Sequence, residues 1–268
     1  MTTAFIIAVY NGAATLERTL DSLAAQTCRP DQVIVMDGGS TDGTQQILAR
    51  RSDVVSYWAS EKDRGIYDAW NKALAHAAAD WVAFLGADDY LWEPTVLARL
   101  CAAAEAAPRA TPFVYGRLYE VDAAGQVLVE HGRPWVESRD RFPFEMTVPL
   151  LGMLHRRDLC FANGRFDIRY RIAGDYALLR PLLMRSDPVY VDVVITAAEE
   201  GGVSTRPNLR VDGVREVGQA IRDCGEPLPW RWRLTLLKNY LRRWIWRLSG
   251  DSGLRGARSL ARAVRRGS

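Results

Sequence analysis

Several features that define common protein classes are missing from this chain of 268 residues. Its four cysteines form no CxxC pair and no cluster with histidine, which argues against a disulfide framework or a structural zinc site and favours a reducing compartment. No run of about 18 uncharged apolar residues occurs, so we expect no membrane-spanning helix. The apolar N-terminal run has no basic stretch before it and ends at Asn11-Gly12, which predicts a first β-strand and not a signal peptide.

Motifs for nucleotide hydrolysis and dinucleotide binding are also missing. The sequence contains no P-loop and no GxGxxG, and no Ser/His/Asp or Cys/His arrangement stands out. Hydrophobic residues make up 48% of the chain and charged residues 25%, as in an ordinary globular protein. Extensive disorder is therefore excluded.

Acidic residues are scarce in one part of the chain. Residues 230–268 contain 11 basic residues and one acidic residue, a net charge of +10. The other 24 basic and 31 acidic residues give residues 1–229 a net charge of −7. The formal total of +3 therefore averages an acidic body and a basic tail.

Strand and helix patterns alternate through the first hundred residues. Strands are predicted at residues 4–9, 32–36, 54–58 and 81–85, with helical periodicity after each one. This alternation predicts βαβ units and a parallel sheet covered by helices, an α/β fold. Beyond Pro108 we expect a hairpin over 113–121 and 126–131, strands over 150–155 and 189–195, and helices over 175–185 and 208–224.

Carboxylates recur at the ends of the predicted strands. Asp37, Asp63 and the pair Asp88-Asp89 each follow a strand, at the edge where open α/β sheets bind ligands. Two adjacent carboxylates repel each other unless a cation or hydrogen-bond donors hold them, and Mg²⁺ or Mn²⁺ suits such oxygen ligands. The alternative for each acid is a turn or a helix N-terminus.

Four segments in order, FIIAVYNG, VIVMDGGSTDGT, SEKDRGIYDAWNKAL and WVAFLGADDYL, resemble the nucleotide-sugar half of family 2 glycosyltransferases. GIYDAWNKA and the later GGVS resemble most the colanic-acid and exopolysaccharide enzymes of that family. The clear match covers residues 4–92, and a looser one extends to about Ser204. The resemblance implies one Rossmann-like GT-A domain with a mixed, mostly parallel sheet. Its donor half would cover 1–107 and its acceptor half 108–205, before a helical extension over 206–268.

The resemblance implies roles for the residues at the strand ends. Tyr10 and Asn11 would line the nucleotide pocket, while Asp37 and Asp63 would bind the base or the ribose. The donor would be a sugar linked to UDP or GDP.

The same resemblance implies a metal site beside the donor diphosphate. Asp88 would face the ribose, and Asp89 would bind the Mn²⁺ or Mg²⁺ that neutralises the leaving diphosphate. Asn71 and Lys72, on the polar side of a predicted helix, could approach the phosphates. For Lys72 the alternative is a surface ion pair with Asp68.

Inverting transfer also needs a general base for the acceptor hydroxyl. The family supplies a carboxylate from its second half, and Asp175 in AGDYALL matches this pattern, with a helix N-cap as the alternative. Asp167 is the next candidate, although the family pattern makes it a turn residue. Pro181 predicts that the helix after Asp175 is short or bent.

The sequence predicts different roles for the three histidines. His155 follows a predicted strand, where related proteins often carry a histidine near the pyrophosphate or the acceptor, although a structural role is equally compatible with the sequence. We expect His76 and His131 to be structural or exposed to solvent.

The basic tail contains the segment WRWRLTLLKNYLRRWIWRL over residues 230–248. On a helix, one apolar stripe would contain Leu234, Leu237, Leu241, Trp244, Ile245 and Leu248. Tryptophan and arginine on an amphipathic helix favour the surface of an anionic membrane. The alternatives are packing of the stripe on the body, or a nucleic-acid-binding arm, for which the acidic body is unfavourable.

Together these features predict an inverting glycosyltransferase on the cytoplasmic face of the membrane. It would act in bacterial exopolysaccharide, capsule or O-antigen synthesis, on a saccharide acceptor carried by a polyprenyl lipid. One alternative is a catalytically silent, membrane-associated nucleotide-sugar-binding protein. Another is a sugar-nucleotide pyrophosphorylase, which would need a Gly-rich basic loop in place of Tyr10-Asn11-Gly12.

Overall fold

The computed structural model describes residues 1–162, 164–200 and 209–246. Its strands are β1 (Thr3–Val9), β2 (Gln32–Asp37), β3 (Tyr57–Ser60), β4 (Trp81–Gly86), β5 (Tyr90–Leu91), β6 (Phe113–Val121), β7 (Val127–His131), β8 (Leu154–Arg156) and β9 (Val189–Glu199). Its helices are α1 (Leu16–Ala24), α2 (Thr44–Arg50), α3 (Ile66–Leu74), α4 (Val96–Ala106), α5 (Trp135–Ser138), α6 (Arg157–Phe161), α7 (Gly174–Leu183) and α8 (Arg210–Asp223), with a 3₁₀ turn at Phe142–Phe144. A further helix, α9, occupies residues 230–246.

All the strands join one mixed sheet with the order β3-β2-β1-β4-β8-β6-β9-β5, and β7 pairs with β6. Four ladders are parallel: β1 with β2 and β4, β2 with β3, and β6 with β9. In register, Val9 lies opposite Asp37, Asp37 opposite Ser60, and Ala8 opposite Gly86. The carboxyl ends of these strands therefore meet at one edge, as the sequence predicts.

Apolar side chains bury both faces of the sheet. Strand β1 alternates between them, with Ile6 in one core and Phe5 and Ile7 in the other. Helices α3, α7 and α8 cover the first face, and α1 and α4 cover the second. Because the first core extends from β1 to Trp232, it includes residues from both halves and from the extension.

The predicted elements are confirmed with shifts at their ends. The predicted third strand lies at Tyr57–Ser60, three residues late at its start, and the short strand β5 was not expected. Helix α7 continues through Pro181 and ends two residues later at Leu183, in keeping with the short helix predicted there. The turn-rich stretch after the hairpin contains α5 and the 3₁₀ turn, which the sequence pattern does not reveal.

Helix α9 docks on the body by the face opposite its predicted apolar stripe. Trp232 is 8% exposed, and its Nε1–H donates to the Val214 carbonyl at 2.8 Å. A Cβ atom at Gly218 would lie 2.4 Å from the Trp232 ring, so only glycine admits this contact. On the other face, Leu237 is 66% and Leu241 57% exposed.

Parts of the predicted motifs and tail lie outside the described residues. These are the GGVS segment, Leu248 and the arginines beyond residue 246. Within the described part of the chain, none of the helices is long and apolar enough to cross a bilayer.

Replacing Trp232 with alanine is expected to lower the free energy of unfolding by about 3–5 kcal/mol, as for other buried aromatic side chains. Leu237→Ala, on the exposed face of the same helix, should change it by less than about 0.5 kcal/mol. Urea denaturation of both variants measures the difference. Equal unfolding free energies would contradict the docking of α9 through Trp232.

Candidate active site

The loop after β1 is tied to the loop after β2. Asn11 adopts a left-handed backbone conformation with φ 49°, which asparagine tolerates. Its N–H donates to Ser40 Oγ at 2.7 Å, and its side-chain oxygen accepts the Thr41 N–H at 3.0 Å. This turn leaves the neighbouring Tyr10 ring 68% exposed at the sheet edge.

The buried Asp37 carboxylate accepts several hydrogen bonds at the same edge of the sheet. It is 1% exposed and accepts the Ser60 hydroxyl at 2.5 Å. The N–H and hydroxyl of Ser40 also donate to it. Asp37 therefore joins the ends of β2 and β3 and fixes the loop that follows β2.

Asp63 approaches Tyr10 across a glycine. Its Oδ1 accepts the Gly65 N–H at 2.8 Å. A Cβ atom at Gly38 would lie 2.6 Å from Asp63 Oδ2 and 3.4 Å from the Tyr10 ring. These three residues thus converge on one spot at the sheet edge.

Asp88 and Asp89 form a second convergent group. A Cβ atom at Gly86 would lie 2.7 Å from Asp88 Oδ1 and 3.0 Å from Asp89 Oδ2, and Asp89 Oδ2 accepts the Gly86 N–H at 2.6 Å. Asp89 is 4% exposed. Its burial and, next, the negative charge of Asp88 raise the pKa of Asp89, because both disfavour its ionised form.

The carboxylates of this pair fit a divalent cation. The positively charged side chain of Arg18 lies nearby but pairs with neither of these two carboxylates. It donates to the Asp88 backbone carbonyl at 3.1 Å and forms an ion pair with Glu199 at 2.6 Å. Among residues 1–162, 164–200 and 209–246, no group of three or more His, Cys, Asp or Glu side chains is arranged to hold a metal. Two carboxylates alone suit Mg²⁺ or Mn²⁺, which take further ligands from substrate phosphates.

Asp175 is the second residue of α7, and the N-cap position belongs to Ala173. Its Oδ1 accepts the Tyr176 N–H at 2.7 Å and lies 3.5 Å from the Tyr67 hydroxyl. Burial is the main cause that raises the pKa of Asp175 to about 6. Such a carboxylate is a stronger base than an ordinary aspartate and is still ionised at neutral pH.

Tyr67 connects Asp175 to helix α3, a contact that the sequence does not reveal. Its hydroxyl donates to the Ile172 carbonyl at 2.8 Å, and its ring packs so closely on Gly174 that a Cβ atom there would lie 2.7 Å away. Tyr67 follows Asp63 by four residues, so their Cα atoms are at most about 14 Å apart. The GIYDAW motif marks Tyr67, but only the fold reveals its partner.

Asn71 and Lys72 are engaged in structural contacts. The Asn71 side chain donates to the Phe166 carbonyl at 2.7 Å and accepts the Phe166 N–H at 3.0 Å. Lys72 donates to the Lys62 carbonyl at 2.8 Å and pairs with Glu61 at 2.9 Å. The structure does not direct either side chain to the carboxylate edge.

His155 is not brought to the site. It is fully buried opposite Val82, near the start of β4, whereas the carboxylates follow the end of that strand. Its Nδ1 bonds the carbonyls of Val82 and Met153, and burial lowers the pKa of His155 to about 4. A neutral histidine enclosed by the core is structural, so we leave His155 out of the candidate site.

The remaining predicted residues have structural partners. His76 stacks on Tyr57, and His131 contacts Glu120 at 3.2 Å. Asp167 accepts the Arg169 side chain at 2.6 Å, within a turn.

Comparison with known proteins decides the family. The family model described as "Glycosyl transferase family 2" matches residues 4–166. The chain belongs to glycosyltransferase family 2. The matched segment contains Tyr10, Asp37, Asp63 and the Asp88-Asp89 pair, and it ends before Asp175.

Relatives of this glycosyltransferase agree with that assignment. A PGL/p-HBAD biosynthesis glycosyltransferase of Mycobacterium bovis is 32% identical over 211 residues, covering 74% of this chain and 77% of that protein. A succinoglycan biosynthesis protein of Rhizobium meliloti is 31% identical over 193 residues, covering 67% of this chain and 55% of that protein. The resemblance to exopolysaccharide enzymes is thereby confirmed.

The solved structures confirm the GT-A fold of this glycosyltransferase. A mannosyltransferase of Pyrobaculum calidifontis, solved with GDP-Man and Mn²⁺, superposes with a TM-score of 0.64 at 20% identity. The superposition covers 98% of this chain and 79% of that one.

The Asp175→Asn variant is expected to unfold at a higher temperature than the wild type at pH 8. The pKa of Asp175 is about 6 in the fold and ordinarily about 3.9 in an unfolded chain, so the folded state binds more protons between these values. Stability therefore falls as pH rises through this window, and asparagine avoids the cost. The advantage should shrink as pH is lowered from 6 to 4.

Asp167→Asn is the control, because we expect it to change the unfolding temperature in the opposite direction in the same thermal scans. Its hydrogen bond with Arg169 lowers the pKa of Asp167, so this substitution should reduce the unfolding temperature at pH 8. A similar loss for Asp175→Asn would contradict the burial of a charge at Asp175.

Proposed function

We propose that this family 2 glycosyltransferase is a metal-dependent, inverting enzyme that transfers a sugar from a UDP- or GDP-linked donor to a saccharide acceptor. One observation carries the proposal. The half-buried Asp175 carboxylate, with its raised pKa, contacts Tyr67 of α3, the helix that begins directly after the Asp63 loop.

The donor side binds and orients the nucleotide. Tyr10 stacks on the base, and Asp63 accepts a hydrogen bond from the base or the ribose. Asp88 would face the ribose, and Asp89 would hold the divalent cation that accompanies the diphosphate. When bound, this cation would neutralise the charge that develops on the leaving group.

The acceptor side removes one proton. As the acceptor oxygen attacks the anomeric carbon, its O–H proton passes to the Asp175 carboxylate, and the nucleoside diphosphate leaves from the opposite face. A single displacement of this kind inverts the anomeric centre. The raised pKa of Asp175 suits a base that must accept a proton near neutral pH.

The acceptor in this proposal is attached to a lipid at the inner face of the cell membrane, in a pathway of exopolysaccharide type. Helix α9 supports it. Its outer face presents a continuous stripe of exposed apolar side chains, namely Trp230, Leu234, Leu237, Leu241 and Trp244. Exposed basic side chains flank the stripe, among them Arg233, Lys238 and Arg242. Apolar side chains bordered by cations suit the interface of an anionic bilayer.

Packing on the body does not account for this stripe, since Trp232 and Leu236 on the opposite face make the contacts with the core. The catalytically silent alternative predicts membrane binding through the tail without metal-dependent affinity for nucleotide. A pyrophosphorylase has no support in the family assignment.

Asp89→Ala is expected to lower the release of nucleoside diphosphate from the preferred donor by about 100-fold or more, because charge neutralisation at the diphosphate is worth several kcal/mol. Turnover is measured with a panel of UDP- and GDP-sugars in Mn²⁺. Asp140→Asn, an acid with 88% of its side chain exposed, is the control and should retain wild-type turnover.

Wild-type turnover by a folded Asp89→Ala variant would contradict the metal role of Asp89. Calorimetry with UDP and GDP, with and without Mn²⁺, tests the silent alternative: a wild type that binds membranes but has no metal-dependent affinity for nucleotide would favour it.

The double substitution Leu237→Asp and Leu241→Asp is expected to reduce binding to vesicles that contain phosphatidylglycerol by about 100-fold or more, since each leucine contributes roughly 2 kcal/mol when buried. Cosedimentation measures the bound fraction. Val136→Asp, which replaces a 69% exposed valine on α5, should bind as the wild type does. Unchanged binding of the double variant would contradict the membrane role of α9.

A further inference from the structure

The backbone immediately before Asp175 is held by a single carboxylate from α8. Glu216 Oε2 accepts the N–H groups of Ile172 and Ala173, each at 2.8 Å. The Arg171 N–H lies 3.1 Å from both Glu216 oxygens. Three successive amides bound to one carboxylate form charge-assisted hydrogen bonds, which are shorter and stronger than neutral ones.

The same peptide segment is held from its other side by α3. The Tyr67 hydroxyl donates to the Ile172 carbonyl at 2.8 Å, and the Tyr67 side chain is buried. Ile172 therefore has its N–H bound by Glu216 and its carbonyl bound by Tyr67. The position of the chain that enters α7 is determined by these two contacts.

Helix α8, which carries Glu216, is held in place by contacts with neighbouring segments. Asp223, at the end of α8, accepts the Tyr170 hydroxyl at 2.8 Å and the Arg169 side chain at 3.1 Å. Farther along, Trp232 of α9 packs on Gly218 of α8. The contacts of Gly218 and Asp223, both C-terminal to Glu216, thus join α8 to α9 and to the segment before Asp175.

We propose that Glu216 is a positioning residue for the general base Asp175, so that the helical extension completes the active site. This inference rests on the proposed role of Asp175. Glu216 lies outside residues 4–166, which the family model matches, and 41 residues beyond Asp175 in the sequence. A displacement of about 1 Å in a catalytic group can lower turnover by about 100-fold, and Glu216 prevents such a displacement.

Besides its hydrogen bonds, Glu216 affects Asp175 through its negative charge. The titratable groups that face the Asp175 carboxyl are Tyr67 from α3 and Glu216 from α8. After burial, the negative charge of Glu216 adds to the causes that raise the pKa of Asp175. Glu216→Gln keeps an oxygen acceptor for the amides and removes this charge, so it separates position from electrostatics.

The test measures kcat against pH for three variants with the best donor of the panel. Glu216→Ala is expected to lower kcat by about 100-fold while the binding of UDP or GDP with Mn²⁺ stays as in the wild type. Glu216→Gln should keep kcat near the wild-type value, and the acidic limb of its pH profile should move to lower pH. Asp212→Ala, which removes an acid of α8 that pairs with Arg215 at 3.5 Å, should change neither kcat nor the acidic limb of the pH profile.

Hydrogen exchange gives a readout that does not depend on turnover. The amides of residues 171–173 should exchange faster in Glu216→Ala and at the wild-type rate in Asp212→Ala. Wild-type kcat in a folded Glu216→Ala variant would overturn the inference and leave the proposed function standing. If Glu216→Ala does not fold, an acidic limb that stays in place in Glu216→Gln overturns it. A wild type that turns over no donor contradicts the proposed function itself.

Discussion

The register of β1 between β2 and β4 is the constraint on which the candidate active site depends. Val9 lies opposite Asp37 and Ala8 opposite Gly86, so loops distant in sequence begin at one edge. A shift of one residue would exchange the two buried faces of a strand, and the cores on both sides of the sheet oppose this. Hydrophobic packing of the strands thus holds the carboxylates in place.

Local sequence could predict that Tyr10, Asp37 and the Asp88-Asp89 pair lie at one edge of the sheet, because each follows a strand with a recognisable pattern. It could not predict Glu216 or the partner of Tyr67, whose contacts with the segment before Asp175 span 44 and 105 residues. The sequence pattern of α3 also could not predict that the Asn71 side chain hydrogen-bonds the backbone of Phe166. The sequence left a functional and a structural role equally open for His155, and the structure favours the second because β8, which contains it, pairs between β4 and β6 and is enclosed.

Two carboxyl groups, the buried Asp89 and the half-buried Asp175, have raised pKa values, and both belong to the candidate site. Buried acids cost stability when they ionise, and such perturbed groups concentrate at functional sites. Each is held by neighbouring backbone amides, of Gly86 for Asp89 and of Tyr176 for Asp175. Glu216 of α8 binds the backbone amides just before Asp175, while α9 keeps its apolar stripe exposed.

The central claim is a single displacement in which Asp175 accepts the proton. Proton NMR of the sugar first released from an α-linked nucleotide sugar, recorded before mutarotation, tests this claim most directly. With water as the acceptor, the account predicts that the β-anomer appears first, because one displacement inverts the anomeric centre. Initial release of the α-anomer would contradict the inverting mechanism and the role given to Asp175.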